Sequence, residues 1–188
     1  MDARDFVQLT LLSMGGAIHG KTKLQKTVYL LGLMTDRLDG LGYRAHFYGP
    51  YSDDVADAVG WLRTLGAVDQ TSSSAGSLDH SGFEIRRYDF RLNEQGKAFA
   101  ESTARRHPEL VAKLRDAVRV LKQAGDPDYV KMSVAAKTYF LLQETNGRAR
   151  EEDLPGLASR FGWDVTAEQV REAAHYLQRL GLVQIGPD

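Results

Sequence analysis

The stretch that decides the fold is Trp61-Leu62-Arg63-Thr64-Leu65-Gly66-Ala67-Val68, because it returns as Tyr176-Leu177-Gln178-Arg179-Leu180-Gly181-Leu182-Val183. Both read aromatic-Leu-x-x-Leu-Gly-x-Val. Leucines three apart bury one side of a helix, glycine takes the left-handed conformation that closes it, and a β-branched residue follows in an extended segment. An upstream echo has the same order: Lys26-Thr27-Val28-Tyr29-Leu30-Leu31 against Lys137-Thr138-Tyr139-Phe140-Leu141-Leu142. Three helices followed by such a strand make a helix-turn-helix with an attached sheet. The expected fold class is mainly α with small β-hairpin wings (α+β), a tandem winged helix-turn-helix.

Working outward, Gly125-Asp126-Pro127-Asp128 is the strongest punctuation in the chain. It divides the sequence into a winged-helix domain with a full hairpin wing (1–105), a connecting helix and linker (106–127), and a minimal second unit (128–188). In the first unit a helix over 5–14 closes at Gly15-Gly16. A second helix starts at Thr22, with Gln25 completing a capping box, and closes at Gly40 and Gly42. Residues 43–48 alternate enough for a short strand, and Gly49-Pro50 turns. Ser52 caps a third helix with Asp53 and Asp54 in its first turn, where the helix dipole favours anions. A strand over 67–70, a polar connection over 71–82 and a strand over 83–92 make a hairpin, with a bulge expected where the second strand changes phase. Asn93 caps a helix to about 104, and His107-Pro108 begins another to 122 with Leu110, Leu114, Val118 and Leu121 at helical spacing. The second unit reads as helices over 130–143 and 150–161, the latter truly beginning near Leu154 because of Pro155. Thr166 and Gln169 then cap a third helix, and residues 182–185 form a final strand.

Composition sets the function classes. The chain has 188 residues, no cysteine and a formal net charge of −1. It can bury ~70% of its unfolded surface without a staple. Disulfides, thiolate metal sites and a cysteine nucleophile are excluded. No apolar run approaches a membrane span, and Met1-Asp2-Ala3-Arg4-Asp5 is not a secretory n-region, so a cytoplasmic location is expected. The charge is segregated: residues 19–50 carry five cations against two anions, 51–80 one against five, and 81–125 ten against six. His19, His46, His80, His107 and His175 lack ligand spacing, and there is no Walker A, G-x-G-x-x-G or G-x-S-x-G motif. The reading is therefore a non-enzyme with no metal and no cofactor.

The run Gly20-Lys21-Thr22-Lys23-Leu24-Gln25-Lys26-Thr27-Val28-Tyr29-Leu30, then Phe47-Tyr48-Gly49-Pro50-Tyr51-Ser52 and Leu62-x-x-Leu65-Gly66-x-Val68, resembles the YwgA-like family of small bacterial and archaeal proteins. It is more distantly similar to the Panacea (SocA-like antitoxin) domain, which shares a Lys-Leu-Gln-Lys-x-x-Tyr-Leu helix and an aromatic-Gly-Pro turn. The resemblance covers about the first half of the chain. It implies a winged-helix-like fold and, from the Panacea side, an antitoxin or protein-interaction role.

Lys21, Lys23 and Lys26 crowd the start of the second helix, where cations oppose the dipole by ~0.3–1 kcal/mol each and free backbone N–H groups attract anions. Phosphate binding would use such a cluster; lysines extended into water would equally satisfy it. The wing offers Arg86, Arg87 and Arg91 around Tyr88, in the manner of minor-groove or phosphate contacts. In the second unit the third helix presents Arg171, His175 and Arg179, which suit base or phosphate contacts and suit a solvated face as well. Against ordinary DNA reading, the first unit's third helix opens on Asp53, Asp54 and Asp57. Two functions follow as expectations: a DNA-binding transcriptional regulator using the lysines, the wing and the last helix, or an interaction module whose three aspartates meet a partner protein with a basic surface. Either allows a homodimer through the helix over 108–122.

Overall fold

The computed structural model describes residues 2–78, 84–125, 127–147 and 149–185, and the side chains of these except at 74–78 and 84–86. The hairpin tip, His80, and Asp126 of the expected boundary lie outside the described residues. The chain is α+β: mostly helical, with one small antiparallel sheet.

Helix α1 (Ala3–Ser13) is capped by Asp2, which accepts from the Asp5 amide. Gly15 and Gly16, at φ 96° and 89°, reverse the chain into β1 (Ala17–His19), a strand too short for its alternation to stand out in the sequence. Helix α2 (Lys21–Met34) follows, then a 3-10 turn over Leu38–Leu41 and helix α3 (Asp53–Thr64). Strands β2 (Val68–Leu78) and β3 (Glu84–Leu92) form the hairpin, and β1 pairs with the far side of β3, giving the order β1-β3-β2. Helices α4 (Glu94–Arg106) and α5 (Pro108–Gln123) close the first half. Helices α6 (Tyr129–Glu144), α7 (Leu154–Ser159) and α8 (Ala167–Arg179) make the second, with a 3-10 turn over Glu151–Asp153 before α7.

The local signals read at Ser52, Asn93 and Thr166 are realised. Ser52 Oγ accepts from Val55, Asn93 Oδ1 from Gly96, and Thr166 and Gln169 form the full reciprocal box. The repeated octamer ends both of its helices with the same hydrogen bonds. The Ala67 amide donates to Leu62 at 2.9 Å and that of Leu182 to Leu177 at 3.0 Å; Gly66 and Gly181 sit at φ 66° and 73°. This double closure is a Schellman motif.

Other expectations are corrected. Thr22 does not cap α2: Gly20 stands at the N-cap without a side-chain bond, and Gln25 has a tertiary partner instead. Helix α2 stops at Met34, not Gly40. Residues 43–48 form no strand; one bridge, Arg44 to Tyr51, holds the loop together. Strand β2 continues through most of the expected loop, and the register shift falls between Ser74 and Leu78 of β2. Described residues 182–185 form no strand, so the second unit shows no wing there. The α5 stripe is not exposed: Leu110, Leu114, Val118 and Leu121 are each 5% exposed or less, so these four residues pack inside the chain.

Two buried clusters meet at α2. Leu24, Val28 and Leu31 belong to one, with α1, α3, the sheet, α4 and most of α5; Tyr29 and Leu30 belong to the other, with α6, α7 and α8. All four residues from Val28 to Leu31 are fully buried. A helix apolar on all sides is a central one, and α2 is central here. Its echo α6 packs directly against it.

Candidate functional site

The two motif stretches that opened the family resemblance touch each other. Helix α2 presents Gln25, Lys26 and Tyr29 to the segment 41–52. Gln25 Nε2 donates to the Ser52 carbonyl at 2.9 Å, and its Oε1 accepts from the Ser52 amide at 3.1 Å. A glutamine amide carries both functions a neighbouring strand would supply, so it satisfies both backbone groups of one buried residue. Lys26 Nζ donates to the Pro50 carbonyl at 2.6 Å, and the Tyr43 hydroxyl donates to the Gln25 carbonyl at 2.7 Å. Ser52 Oγ donates to the Leu41 carbonyl while it caps α3. Tyr29 packs edge-on to Tyr43 with ring centroids 5.0 Å apart. From the second half, Trp163 Nε1 donates to the His46 carbonyl at 2.6 Å. Gly49 is at φ 95°, and a Cβ there would lie 2.9 Å from Lys137. Replacing Ser52 by alanine removes a cap, worth ~0.5–2 kcal/mol, and orphans the Leu41 carbonyl. The expected loss is about 2–3 kcal/mol by urea unfolding, and a loss under about 0.5 kcal/mol would contradict the clasp.

This geometry breaks up the lysine triad. Lys26 is 1% exposed. Burial, and after it the Lys137 ammonium, pushes its amine down to about 7. It is enclosed in the protein, where it donates to the Pro50 carbonyl, and does not present its amine to a phosphate on the surface. Lys21 remains exposed, with Nζ 4.4 Å from the Tyr88 ring centroid. Lys23 is half-buried and lines a cavity.

On the sheet, Phe90 and Leu92 face the core, so Arg87, Asp89 and Arg91 face outward. One wing arginine, Arg87, meets a carboxylate there. Arg87 Nε is 3.0 Å and His19 Nδ1 3.2 Å from the Asp89 carboxylate. Burial would raise that carboxyl, but the hydrogen bonds from His19 and Arg87 outweigh it and hold it below its ordinary range. Arg91 stands opposite Asp69 in register. The Arg86 side chain lies outside those described. On α8, Arg171 Nε binds Glu151 at 2.9 Å, and Arg179 Nε donates to the Ala124 carbonyl at 3.3 Å. His175 is exposed. Of the three aspartates, Asp53 is paired with Arg44, the Asp54 carboxylate lies against Gly42, and Asp57 is exposed.

Two adjoining cavities run along the junction of the halves. One, about 770 Å³, is lined by Lys131, Glu172, His175 and Arg179 among others. The second, about 510 Å³, is lined by His19, Lys23, Thr27 and Lys122 with apolar neighbours. They share Gly125, Pro127 and Tyr176. The structure therefore brings Lys23, His175 and Arg179 to one trough, and leaves Arg87 and Arg91 on the sheet. Among the described residues, no group of three or more His, Asp or Glu could hold a metal ion, and no helix is long and apolar enough to cross a membrane.

No family model matches the chain. Over 93 residues it is 31% identical to the uncharacterized protein YwgA of Bacillus subtilis (strain 168), a match covering 50% of this chain and 51% of that protein. Over that stretch the chain is similar to YwgA. It spans about half the length of the curated relative it matches. The comparisons carry no counterpart of the Panacea likeness.

One further surface feature lies on the turn between the 3-10 turn and α3. Phe47 is 79% exposed and Tyr48 67% exposed, side by side on the turn that the clasp fixes. His46 packs on Phe47 and Tyr51, with centroids 5.3 and 5.0 Å away. Phe161, 36% exposed, stacks on the same Trp163 that holds His46. The signal was present in the run His46-Phe47-Tyr48, where three bulky residues precede a Gly-Pro turn and none has an apolar periodicity to bury it. The Tyr51 hydroxyl beside them is pushed up by burial and then by Asp53 and Asp57, against the pull of Arg44. Acidic charge thus borders the aromatic knuckle.

Proposed function

We propose that this protein is a non-enzymatic protein-interaction module, and that the knuckle Phe47-Tyr48 with the acidic start of α3 docks a partner protein of basic surface. The observation that carries the reading is the exposure of two adjacent aromatic rings on a turn held by buried hydrogen bonds. Rigid aromatics lose little entropy on binding and dominate interface energies, whereas a mobile loop tip would not be anchored by Lys26, Gln25 and Trp163. Asp53, Asp54 and Asp57 lie on the helix that leaves the same turn and supply charge complementarity. The order α1–β1–α2–α3–β2–β3 supports a winged-helix reading of the first half, and the shared octamer supports a second, wingless copy behind it. On that reading the third helix, which enters the groove in DNA readers, is acidic and faces a protein.

The test is capture of partners from the source cell by the full chain and by two variants. Phe47→Ala with Tyr48→Ala, and the Asp53, Asp54 and Asp57→Asn triple variant, are each expected to weaken a specific complex at least tenfold, which corresponds to ~1.4 kcal/mol. A complex indifferent to both would end the reading.

A regulator that binds DNA is the second reading. Lys21 and Lys23, at one end of α2 beside the sheet, favour it. Three of its cations, Arg87, Arg171 and Arg179, are already engaged with Asp89, Glu151 and the Ala124 carbonyl. It predicts duplex binding that falls steeply with salt and weakens in Lys21→Gln, since phosphate contacts release counterions. Binding that is absent at low salt removes it.

A further inference from the structure

We propose that the knuckle seats an arginine of the partner, a reading that rests on its docking role: a guanidinium lies flat on the ring of Phe47 or Tyr48 and bonds the Asp57 carboxylate. The surface already holds one arginine beside both a carboxylate and a tyrosine. Arg44 pairs with Asp53 through Nη2. The same guanidinium acts on the Tyr51 hydroxyl, as do Asp53 and Asp57, so these three charges gather at that residue. Asp57 follows Asp53 by four residues along α3, which places the two on one face. Arg44 engages the first of them. Asp57 is exposed, and among the described residues no ion pair engages it. A guest cation therefore finds the second carboxylate open.

The rings extend this pattern to the knuckle. His46 stands between Phe47 and Tyr51, with its ring centroid 5.3 and 5.0 Å from theirs. Aromatic surface thus runs from the knuckle to the tyrosine on which the carboxylates act. Elsewhere the chain covers a partly exposed tryptophan with an arginine of its own: Arg4 Cζ is 4.8 Å from the Trp61 ring centroid. Among the described residues no cation lies over Phe47 or Tyr48.

The chemistry selects arginine over lysine. A guanidinium is planar and weakly hydrated, so it stacks on a ring while its edge bonds a carboxylate. An ammonium is compact and strongly hydrated, and holds its water at such a place. The turn is also preset for the guest. Lys26 holds the Pro50 carbonyl and Trp163 holds the His46 carbonyl, one on each side of Phe47 and Tyr48. Little ordering is then left to be done on binding.

The test is selection of random dodecapeptides displayed on phage, with the full chain as target. Enriched peptides are synthesised and titrated against the parent, Phe47→Ala with Tyr48→Ala, and Asp57→Asn. The three positions are exposed, so the variants are expected to keep the parent's Tm. Peptides that lose binding to the double ring variant are expected to share an arginine. Changing that arginine to citrulline, which keeps the plane and removes the charge, should weaken binding roughly tenfold or more. Changing it to lysine should weaken binding roughly threefold or more. Asp57→Asn should weaken the arginine peptide and leave the citrulline peptide unchanged, the non-additivity of a direct contact. Ring-dependent peptides that share no arginine, that bind equally well with lysine or citrulline in its place, or that lose the same factor on Asp57→Asn with either side chain overturn the arginine seat and leave the docking role standing. If no selected peptide depends on the rings, both fall.

Discussion

Gly96→Ala is expected to destabilise the protein by about 3 kcal/mol or more, although it adds a single methyl group to a helix. Helix α4 begins where the hairpin ends, and its first turn is pressed onto the start of β2. Asn93 ties the two together: its side chain donates to the Gly66 carbonyl at 2.7 Å and to Asp69 at 3.1 Å, and its Oδ1 receives the Gly96 amide at 3.0 Å. A Cβ on Gly96 would stand 1.9 Å from the Ala67 carbonyl oxygen and 2.8 Å from its carbon. Those are backbone atoms between the Schellman closure of α3 and the first residue of β2, so no rotamer change relieves the clash. Helix α4 must lift, which opens Ala100 and its contacts with α1. For a chain of this size the loss corresponds to a fall in Tm of about 6–12 °C. Gly60→Ala is the matched control. Gly60 lies within α3, and a Cβ there meets nothing within 4 Å. It is expected to stabilise by about 0.5–1 kcal/mol through helix propensity and a less flexible unfolded chain. Urea unfolding of both variants checks the pair, and a Gly96→Ala protein as stable as its parent would mean that α4 does not sit where it is described.

What was legible in the sequence was what neighbouring residues decide between themselves. Ser52, Asn93 and Thr166 cap their helices because partner and cap are three residues apart. Gly66 and Gly181 end theirs because the requirement is conformational and local. Thr22 and Gln25 carry the same spacing as Thr166 and Gln169, yet only the second pair makes the box. Gln25 is claimed by Ser52, 27 residues away, where it satisfies two buried backbone groups rather than one exposed one. Strand β1 was missed because three residues have no periodicity; its partner β3 makes it a strand. The lysine cluster was visible, but its division was not. Lys23 and Lys26 are nearly a turn apart, and which side of α2 faces solvent depends on where α6 lies. Arg87 was read as a phosphate contact although Asp89, two residues on along the same face of β3, already pairs with it; that His19 joins the pair depends on β1 lying beside β3. The knuckle shares this character, since Trp163 of the second half holds the His46 carbonyl beside it.

Lys26 leads to a large pH effect that begins below the range in which the tyrosines ionise. Its amine is driven down to about 7 by burial, and then by Lys137, from an ordinary value of 10.5. In the unfolded chain the group stays protonated to about 10.5, so between pH 7 and 10.5 the unfolded state binds more protons than the native one. Stability must then rise with pH across that window, by at most ~1.4 kcal/mol per unit. Below pH 7 both states hold the proton, and the cost of burying the ammonium is present in full and constant. The cleanest measure is the difference in unfolding free energy between the parent and Lys26→Met, because other titrations largely cancel. That difference is expected to move in favour of the parent by about 3–5 kcal/mol from pH 6.5 to pH 10.5, and to be flat below pH 6.5. Lys137→Met tests the second cause. Removing that ammonium should let Lys26 hold its proton longer, so the rise begins at higher pH. A parent-minus-variant difference that does not change between pH 7 and 10 would show that Lys26 is reached by water and that its hydrogen bond to the Pro50 carbonyl is not the fixed element of the clasp. If the rise appears, Lys26 is a structural neutral donor at alkaline pH, bonded to the Pro50 carbonyl.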